Sequence, residues 1–511
     1  MSRVISNKIK SISELAKILQ ESRKKSRKIV LCHGVFDLLH PGHIRYFEAA
    51  KQKGDILVVT VTKDEFVNKG PGRPIFNQFL RAESVAAIEC VDYVAVNEWP
   101  TAVETIKKLR PNFYAKGSDY ADKKEDVTGN IYAEEKAVKS VGASMYFTEE
   151  ITFSSTSIIN TFLAPYSDEA KDFFGHFKRH YTAKDIINAL RSVSDVKVLL
   201  IGDIIIDEYH YCKGIGKSQK DNIIATKFLE EEIFAGGVLA AANHLAGFCR
   251  HVSLVSAIGT KNDYRRFIAT HLKPNIRTNF YYQKDVPTVV KRRYIDPDFL
   301  NKLFEICYLE DTRYLSEALE KKICAYLESH IKNFDLVVAA DFGHGLMTPR
   351  IIEVLCKKSK FLAVNTQTNS ANIGFNLITK FARADYICID EPEIRLACHD
   401  KFSRLENLVL KVGKQLHCDK IIVTRGHLGS LAYSHAKGFT QIPVFSKQVV
   451  DRIGAGDAFF SVTSPCAEKG NPMEAVAFIG NAVGAMKVLI VGNRSAVEPV
   501  PLFKYIATLL K

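Results

Sequence analysis

The stretch Lys28–Phe47, KIVLCHGVFDLLHPGHIRYF, decides how the first part of this 511-residue chain is read. It runs as a short β-rich apolar segment, breaks at Gly34, and sets His40 and His43 three residues apart around Pro41 and Gly42. A packed core has no use for two histidines at a turn. A helix opening beside the end of a buried strand does, because ligands of open parallel sheets bind at the carboxyl ends of strands, next to helix N-termini. Gly34 lets backbone N–H groups approach a phosphate, and His40 and His43 supply donors where negative charge gathers during in-line displacement. A second stretch, residues 449–461 (VVDRIGAGDAFFS), places Gly454, Ala455 and Gly456 just ahead of a helix. Small residues there free N–H groups for oxyanions, and Asp457 sits where a carboxylate takes the proton of an attacking hydroxyl.

Working outward from the first stretch, β-rich runs alternate with helical patterns. Lys28–Cys32, Ile56–Thr62, Tyr93–Val96, Phe113–Lys116 and Met145–Phe147 are predicted strands, with helices such as Gly42–Lys53 and Gln78–Glu89 between them. This rhythm implies a parallel sheet with helices on both faces, ending near Asn160. Residues 161–194 are polar, then helical, and are expected to connect two domains. A second α/β pattern starts at VKVLLIGDIIID and continues through FDLVVAADFGHG, KFLAVNT, ADYICID and DKIIVTRG. Residues 223–234 and 286–295 are predicted strands outside that sheet, forming a β lid. The expected division is therefore 1–160, a connector 161–194, and 195–511.

Composition bounds the function. A chain of this length is too long for one core. Apolar residues make up 47% and charged residues 25%, as in soluble globular proteins. No apolar run approaches the roughly 18 residues that span a bilayer, and no continuous apolar h-region opens the sequence, so neither a membrane partner nor a secretory signal is expected. Eleven cysteines are scattered without a C-x-x-C pair, which fits a reducing cytoplasm. The net charge of +13 suits sites that handle phosphates; no zinc-finger spacing or aromatic RNP pattern supports nucleic acid as a partner. Residues 1–28 hold nine Lys/Arg against Glu14 and Glu21, and Ile12, Leu15, Ile18 and Leu19 recur at helical spacing, so an amphipathic helix capped by Ser11 or Ser13 is expected there.

The first stretch resembles the H-x-G-H signature of the cytidylyltransferase-like nucleotidyltransferases, and further family elements follow in order. The resemblance implies a Rossmann-like α/β domain in which Gly34, Phe36, Lys69 and Arg73 (NKGPGRP), Arg81 (FLRAESV), and Lys116 and Asp119 (YAKGSDY) bind nucleotide and phosphate. It also implies that Ser154, Ser155 and Thr156 (FSSTSII) hold triphosphate oxygens at a helix start, a place for which such residues are suited. His40 and His43 are the implied catalytic pair.

The second stretch resembles the second signature of the PfkB, or ribokinase-like, sugar kinases. That resemblance implies Asp457 as the base, with Gly454, Ala455 and Gly456 as the phosphate cradle. FAGGVLAAANHLAGF echoes the first signature, with Gly236 and Gly237 lining a sugar, and GDIIIDEYHY puts Asp203 and Asp207 toward its hydroxyls. DEPE matches N-x-x-E with Asp390 in place of Asn, so Glu393 would help order Mg2+. TRGHLGS resembles the nucleotide-side T-x-G-x-x-G, carrying Thr424 and Gly426. Where the family has an Asn after the paired glycines this chain has Ala240, and Asn243 is the nearest substitute.

One chain with both modules is similar to the bifunctional heptose-phosphate kinase/heptose-1-phosphate adenylyltransferase family of lipopolysaccharide-precursor synthesis, with the domain order reversed. The resemblance implies ATP-dependent phosphorylation of a heptose-like sugar, and nucleotidyl transfer to a sugar 1-phosphate with release of pyrophosphate. It implies small-molecule sugar and nucleotide substrates, Mg2+, a cytoplasmic location, and allows a homodimer. The H-x-G-H motif leaves ATP and CTP open, so a glycerol- or polyol-phosphate cytidylyltransferase fused to a sugar kinase is an alternative. A nucleotide-binding regulatory or scaffold protein with one inactive domain is another, which intact His40, His43 and Asp457 argue against.

Overall fold

The computed structural model describes residues 7–117, 130–148, 166–298, 300–310 and 313–511. The chain forms two compact units, one of residues 1–165 with 500–511, the other of residues 166–499.

In the first unit, β1 (Ile29–Gly34), β2 (Ile56–Thr62), β3 (Tyr93–Asn97), β4 (Phe113–Gly117) and β5 (Ser144–Thr148) form one parallel sheet in the order β3-β2-β1-β4-β5. The chain leaves β1 toward one edge and later returns on its other side through β4, so the topological switch lies beside β1, where ligands of such sheets bind. The period-2 alternation of β1 fills two cores. Val30 and Cys32 pack with Phe47, Ala50 and Val85, while Ile29 and Leu31 pack with Leu15, Ile106 and Leu109. The helix Ile12–Lys24 opens on a capping box between Ser11 and Glu14 and buries Ile12, Leu15 and Leu19. The amphipathic pattern is thus a packed face with its basic residues outward.

In the second unit a nine-stranded sheet runs in the order Ile276–Gln283, His251–Gly259, Lys197–Gly202, Leu336–Asp341, Leu362–Thr366, Tyr386–Asp390, Lys420–Thr424, Ser430–Ser434, Gly438–Ile442. The first seven strands are parallel and the last two antiparallel. A separate four-stranded sheet orders Asn301–Tyr308, Val289–Asp296, Ile204–Lys217 and Ile224–Gly237. Asn301–Tyr308 is exposed along its whole length, and Ile204–Lys217 and Ile224–Gly237 are exposed over the half that pairs farthest from Gly237, leaving Ile224, Phe228 and Phe304 open as a lid's residues are.

The expected connector is not a linker in its described part. Residues 168–177 and 183–191 are helices opened by Ser167 and Thr182. Phe174 and Phe177 are buried, and Phe177 stacks on Phe478 with ring centroids 4.4 Å apart. Loop-like polarity concealed an aromatic face that belongs to the second unit.

Candidate active sites

The β1 strand delivers the loop Val35–Leu39 to the start of the helix Pro41–Lys51. His40 is the N-cap of that helix in extended conformation, and its Nδ1 accepts the Gly42 N–H at 3.1 Å. An accepting Nδ1 in a neutral imidazole puts the proton on Nε2. That Nε2 and His43 Nδ1 are buried and have no hydrogen-bond partner among the described residues. The two rings lie 4.0 Å apart by centroid, and Phe36 stands edge-on to His43 at 5.4 Å. Burial, followed by the charges of protonated His40 and of Lys69, pushes His43 down to about 3; burial also lowers His40. Both rings are therefore neutral near pH 7 and serve as hydrogen-bond donors or acceptors rather than cations.

Gly34 has a local reason beyond phosphate approach. A Cβ there would come within 2.8 Å of Phe36 Cζ, and Phe36 itself sits at φ 49°. Asp37 ties the loop to residues 73–76: its Oδ1 accepts the N–H groups of Ile75 (2.7 Å) and Phe76 (3.2 Å), and Arg73 approaches Oδ2 at 3.6 Å. Lys69 precedes this segment; burial, then the charges of Lys511 and Arg73, lower its ammonium to about 8.

Two expected phosphate ligands have other work. Arg81 is fully buried, and its guanidinium donates to the carbonyls of Phe76 (2.9 Å) and Thr62 (2.7 Å), to Val35 O and to Asp64. It clamps the loops around the histidines together instead of facing a ligand. Lys116 is buried in an ion pair with Glu134 at 3.0 Å. Asp119, Ser154, Ser155 and Thr156 lie outside the described residues.

In the second unit Asp457 lies in the first turn of the helix Ala455–Glu468, whose N-cap is Gly454 at φ 73°. A Cβ on Gly454 would overlap Asn493 Oδ1, whereas one on Gly456 would meet nothing within 4 Å, so the cradle is open at Gly456. Burial raises the Asp457 carboxyl to about 6, and Gln367 Nε2 donates to its Oδ1. The neighbouring Thr368 N–H donates to Glu393 Oε1 at 2.8 Å. Glu393 Oε2 accepts the Asp390 N–H at 3.0 Å, closing a capping box, and burial raises Glu393 to about 7 with Asp390 and Asp457 adding to the effect. Gln367–Thr368 thus link the two carboxylates.

Asp207 joins this cluster. Its Oδ1 accepts from Arg293 at 2.5 Å and its Oδ2 from Asn493 at 3.2 Å, while a side chain at Gly236 would overlap Oδ2. Gly237, at φ 55°, passes close to the Asp203 carbonyl. Thr424 reaches Ile389 O at 3.5 Å, and Gly426 (φ 55°) faces open space. Two expected sugar ligands are not brought here. Asp203 accepts the N–H groups of Phe342, His344 and Leu346, so its buried carboxylate orders the loop after Leu336–Asp341. Asn243 donates to His271 O at 2.8 Å and accepts from Lys273 N–H at 3.0 Å; its amide is satisfied by backbone and does not replace the Asn absent at Ala240.

Sequence reading missed Gln367, Arg293, Asn493 and Lys487. Lys487 is fully buried, donates to Ile453 O (2.8 Å) and Gly492 O (2.6 Å), and is lowered by burial to about 8. It holds the loop ahead of Gly454. It ends the helix Met473–Lys487, where a lysine is ordinarily a solvated cation, and the only sequence signal to the contrary is the apolar run around it.

Among known proteins, the cytidylyltransferase-like family model matches residues 31–161, and the pfkB family carbohydrate kinase model matches residues 195–499. Curated relatives include the Bifunctional protein HldE of Trichlorobacter lovleyi, 38% identical over 169 residues, which are 32% of this chain and 32% of that protein. Those of Nitratiruptor sp. (42% over 129 residues, 25% of this chain and 28% of that protein) and Helicobacter pylori (41% over 133 residues, 26% and 28%) also match. The chain therefore spans about a third of the length of the curated relatives it matches. Phosphofructokinase-2 from Escherichia coli, solved with potassium, aligns with 62% of this chain and all of its own at 12% identity and a TM-score of 0.49. No helix among the described residues is long and apolar enough to cross a membrane. With its kinase signature matched over more than half of its length, behind a cytidylyltransferase-like domain, the chain belongs to the pfkB family of carbohydrate kinases.

Proposed function

We propose that the chain is bifunctional: the 166–499 unit phosphorylates a heptose-like sugar with ATP, and the first unit transfers a nucleotidyl group to a sugar 1-phosphate, releasing pyrophosphate. The observation that carries the kinase reading is Asp457, a half-buried carboxylate raised to about 6 in the first turn of a helix whose cradle is open at Gly456. Ionised near neutral pH, it accepts the proton of the attacking sugar hydroxyl. Gln367 fixes its orientation, Asp207 hydrogen-bonds the sugar, and the N–H group at Gly456 receives charge on the transferring phosphoryl oxygens. The residues fit Mg2+ indirectly: Glu393 and Asp390 are neighbouring carboxylates, the first half-buried and the second exposed, but both Glu393 oxygens already accept N–H groups. Bound there, Mg2+ would neutralise phosphate oxygens.

In the first unit the carrying observation is the pair of unpartnered ring nitrogens on His40 and His43. Neutral rings donate to α-phosphate oxygens as charge grows, without the like-charge penalty of two imidazoliums. The HldE name of the relatives supports a heptose pathway, cytoplasmic surface-polysaccharide precursor synthesis and ATP as the nucleotide; with Ala240 and the satisfied Asn243, a sugar preference other than D-glycero-D-manno-heptose 7-phosphate follows. The test is to incubate the protein with phosphorylated and unphosphorylated sugars plus ATP or CTP, and to weigh the products. A nucleotide-activated sugar and a sugar phosphate are expected; neither product from any pair refutes the reading.

A further inference from the structure

Lys487 closes the helix Met473–Lys487, yet none of it reaches solvent. Its ammonium donates to two carbonyls from different segments, Ile453 O at 2.8 Å and Gly492 O at 2.6 Å. A lysine ordinarily sends its charge to water or to a carboxylate. Here both hydrogen-bond partners among the described residues are peptide oxygens. The N–H groups of the same two residues go to a charge of the opposite sign. Ile453 N–H donates to Asp451 Oδ1 at 3.1 Å and Gly492 N–H to its Oδ2 at 2.8 Å. Tyr209 and Lys302 complete that buried carboxylate. One cation and one carboxylate thus grip Ile453 and Gly492, the first by their oxygens and the second by their N–H groups.

Ile453 is the last residue before the phosphate cradle. A trans peptide points its C=O and the following N–H in opposite directions. With the Ile453 oxygen on the ammonium, the Gly454 N–H leaves on the far side, at the N-cap of the helix that carries Asp457. A cation on the oxygen polarises the peptide and strengthens that N–H as a donor. The lysine stem also lies along the cradle: a Cβ on Gly454 would stand 3.3 Å from Lys487 Cε. Against the burial that raises the Asp457 carboxyl, the Lys487 charge favours its ionised form.

Carbonyl oxygens closing on a dehydrated positive charge form the coordination that a protein offers to a small monovalent cation. We infer that Lys487 is a positioning residue of the kinase, its tethered ammonium filling a monovalent-cation cradle at the root of the Gly454–Gly456 loop and making sugar phosphorylation independent of added monovalent cations. The inference rests on the kinase reading above.

The test compares the full chain with its Lys487→Ala and Lys487→Met variants in KCl, NH4Cl and tetramethylammonium chloride at one ionic strength. Initial-rate sugar phosphorylation and thermal unfolding are both read. The parent is expected to keep kcat within about twofold and Tm unchanged across the three salts. Lys487→Ala leaves the cradle vacant, so its kcat is expected to fall about tenfold or more with the sugar KM little changed. K+ or NH4+ should then restore kcat and raise Tm in that variant, while tetramethylammonium, too large for the cradle, does neither. Lys487→Met fills the space without charge and is expected to lose turnover that no salt restores. A parent stimulated severalfold by K+ overturns the inference. So does parental turnover in either folded variant, or a Lys487→Ala defect that neither small cation relieves, which is what a merely structural lysine produces. A parent that phosphorylates no sugar, with a Lys487→Ala Tm that still rises in K+ or NH4+ alone, supports the cation cradle and removes the kinase reading only.

Discussion

Replacing Asp457 by Asn separates the chemical use of this carboxylate from its cost to the fold. Burial raises its pKa from an ordinary 3.8 to about 6. A raised carboxyl binds its proton more tightly when folded, so the cost to stability sets in as the pH rises past the unfolded value and is complete above the folded one. The shift corresponds to about 3 kcal/mol at pH 8, where both states are ionised, and to roughly half of that at pH 5, where the folded group is largely protonated. Asn keeps the shape and an oxygen for Gln367 but carries no charge. The variant should therefore lose about 10²-fold or more in kinase turnover while sugar and ATP still bind, and gain stability that is larger at pH 8 than at pH 5. The parent kcat should rise through pH 6 to a plateau as the base ionises. Initial-rate phosphorylation between pH 5 and 8, alongside urea unfolding of both proteins at the two extremes, reads all of these. A parental turnover in the variant, or an equal stability change at pH 5 and pH 8, would refute the reasoning.

His43→Ala should abolish nucleotidyl transfer, by about 10²-fold or more, yet leave sugar phosphorylation near parental, because it removes stabilisation at only one phosphate site; equal loss of both in a folded variant argues against two sites. Arg81→Met strands the carbonyls of Val35, Thr62 and Phe76 and should destabilise the first unit by about 3–5 kcal/mol, the cost of breaking a buried charged network. Urea unfolding followed by probes in each unit checks this, and a selective loss of nucleotide affinity without destabilisation would restore Arg81 as a ligand. Gly454→Ala imposes a left-handed alanine and an overlap with Asn493, so kinase kcat should fall about tenfold or more through a displaced cradle; an unaltered kcat shows that the loop adjusts.

The strands of the first unit were legible because each is a short apolar run with turn residues at its ends, and Ile56–Thr62 coincides with its expected bounds. The motifs also located both helix starts, since His40 and Gly454 sit at N-caps where local chemistry alone sets the conformation. Side-chain direction was another matter. Arg81, Asp203 and Asn243 have the right residue type near the right loop, but long-range backbone groups claim their polar atoms. Gln367, Arg293 and Asn493 come from three separate segments that only the folded sheet brings to Asp207 and Asp457. Pattern reading sees periodicity within a segment and has no access to such meetings. The segment 166–194 misled for a related reason: its partner, Phe478, lies some three hundred residues onward.

The return of residues 500–511 to the first unit, where Tyr505 packs on Gly70, sets an order of events during synthesis. Domains generally fold as units while the chain emerges, the N-terminal one first. Here the loop bearing Lys69 is made early, but the ring that seats against it arrives only after the ribosome has passed Pro499. Until then the first unit can form its sheet while leaving the surface at Gly70 uncovered. A nascent or shortened chain thus lacks the ring that seats on Gly70, and a chain whose first unit is fully packed has already been translated through residue 499.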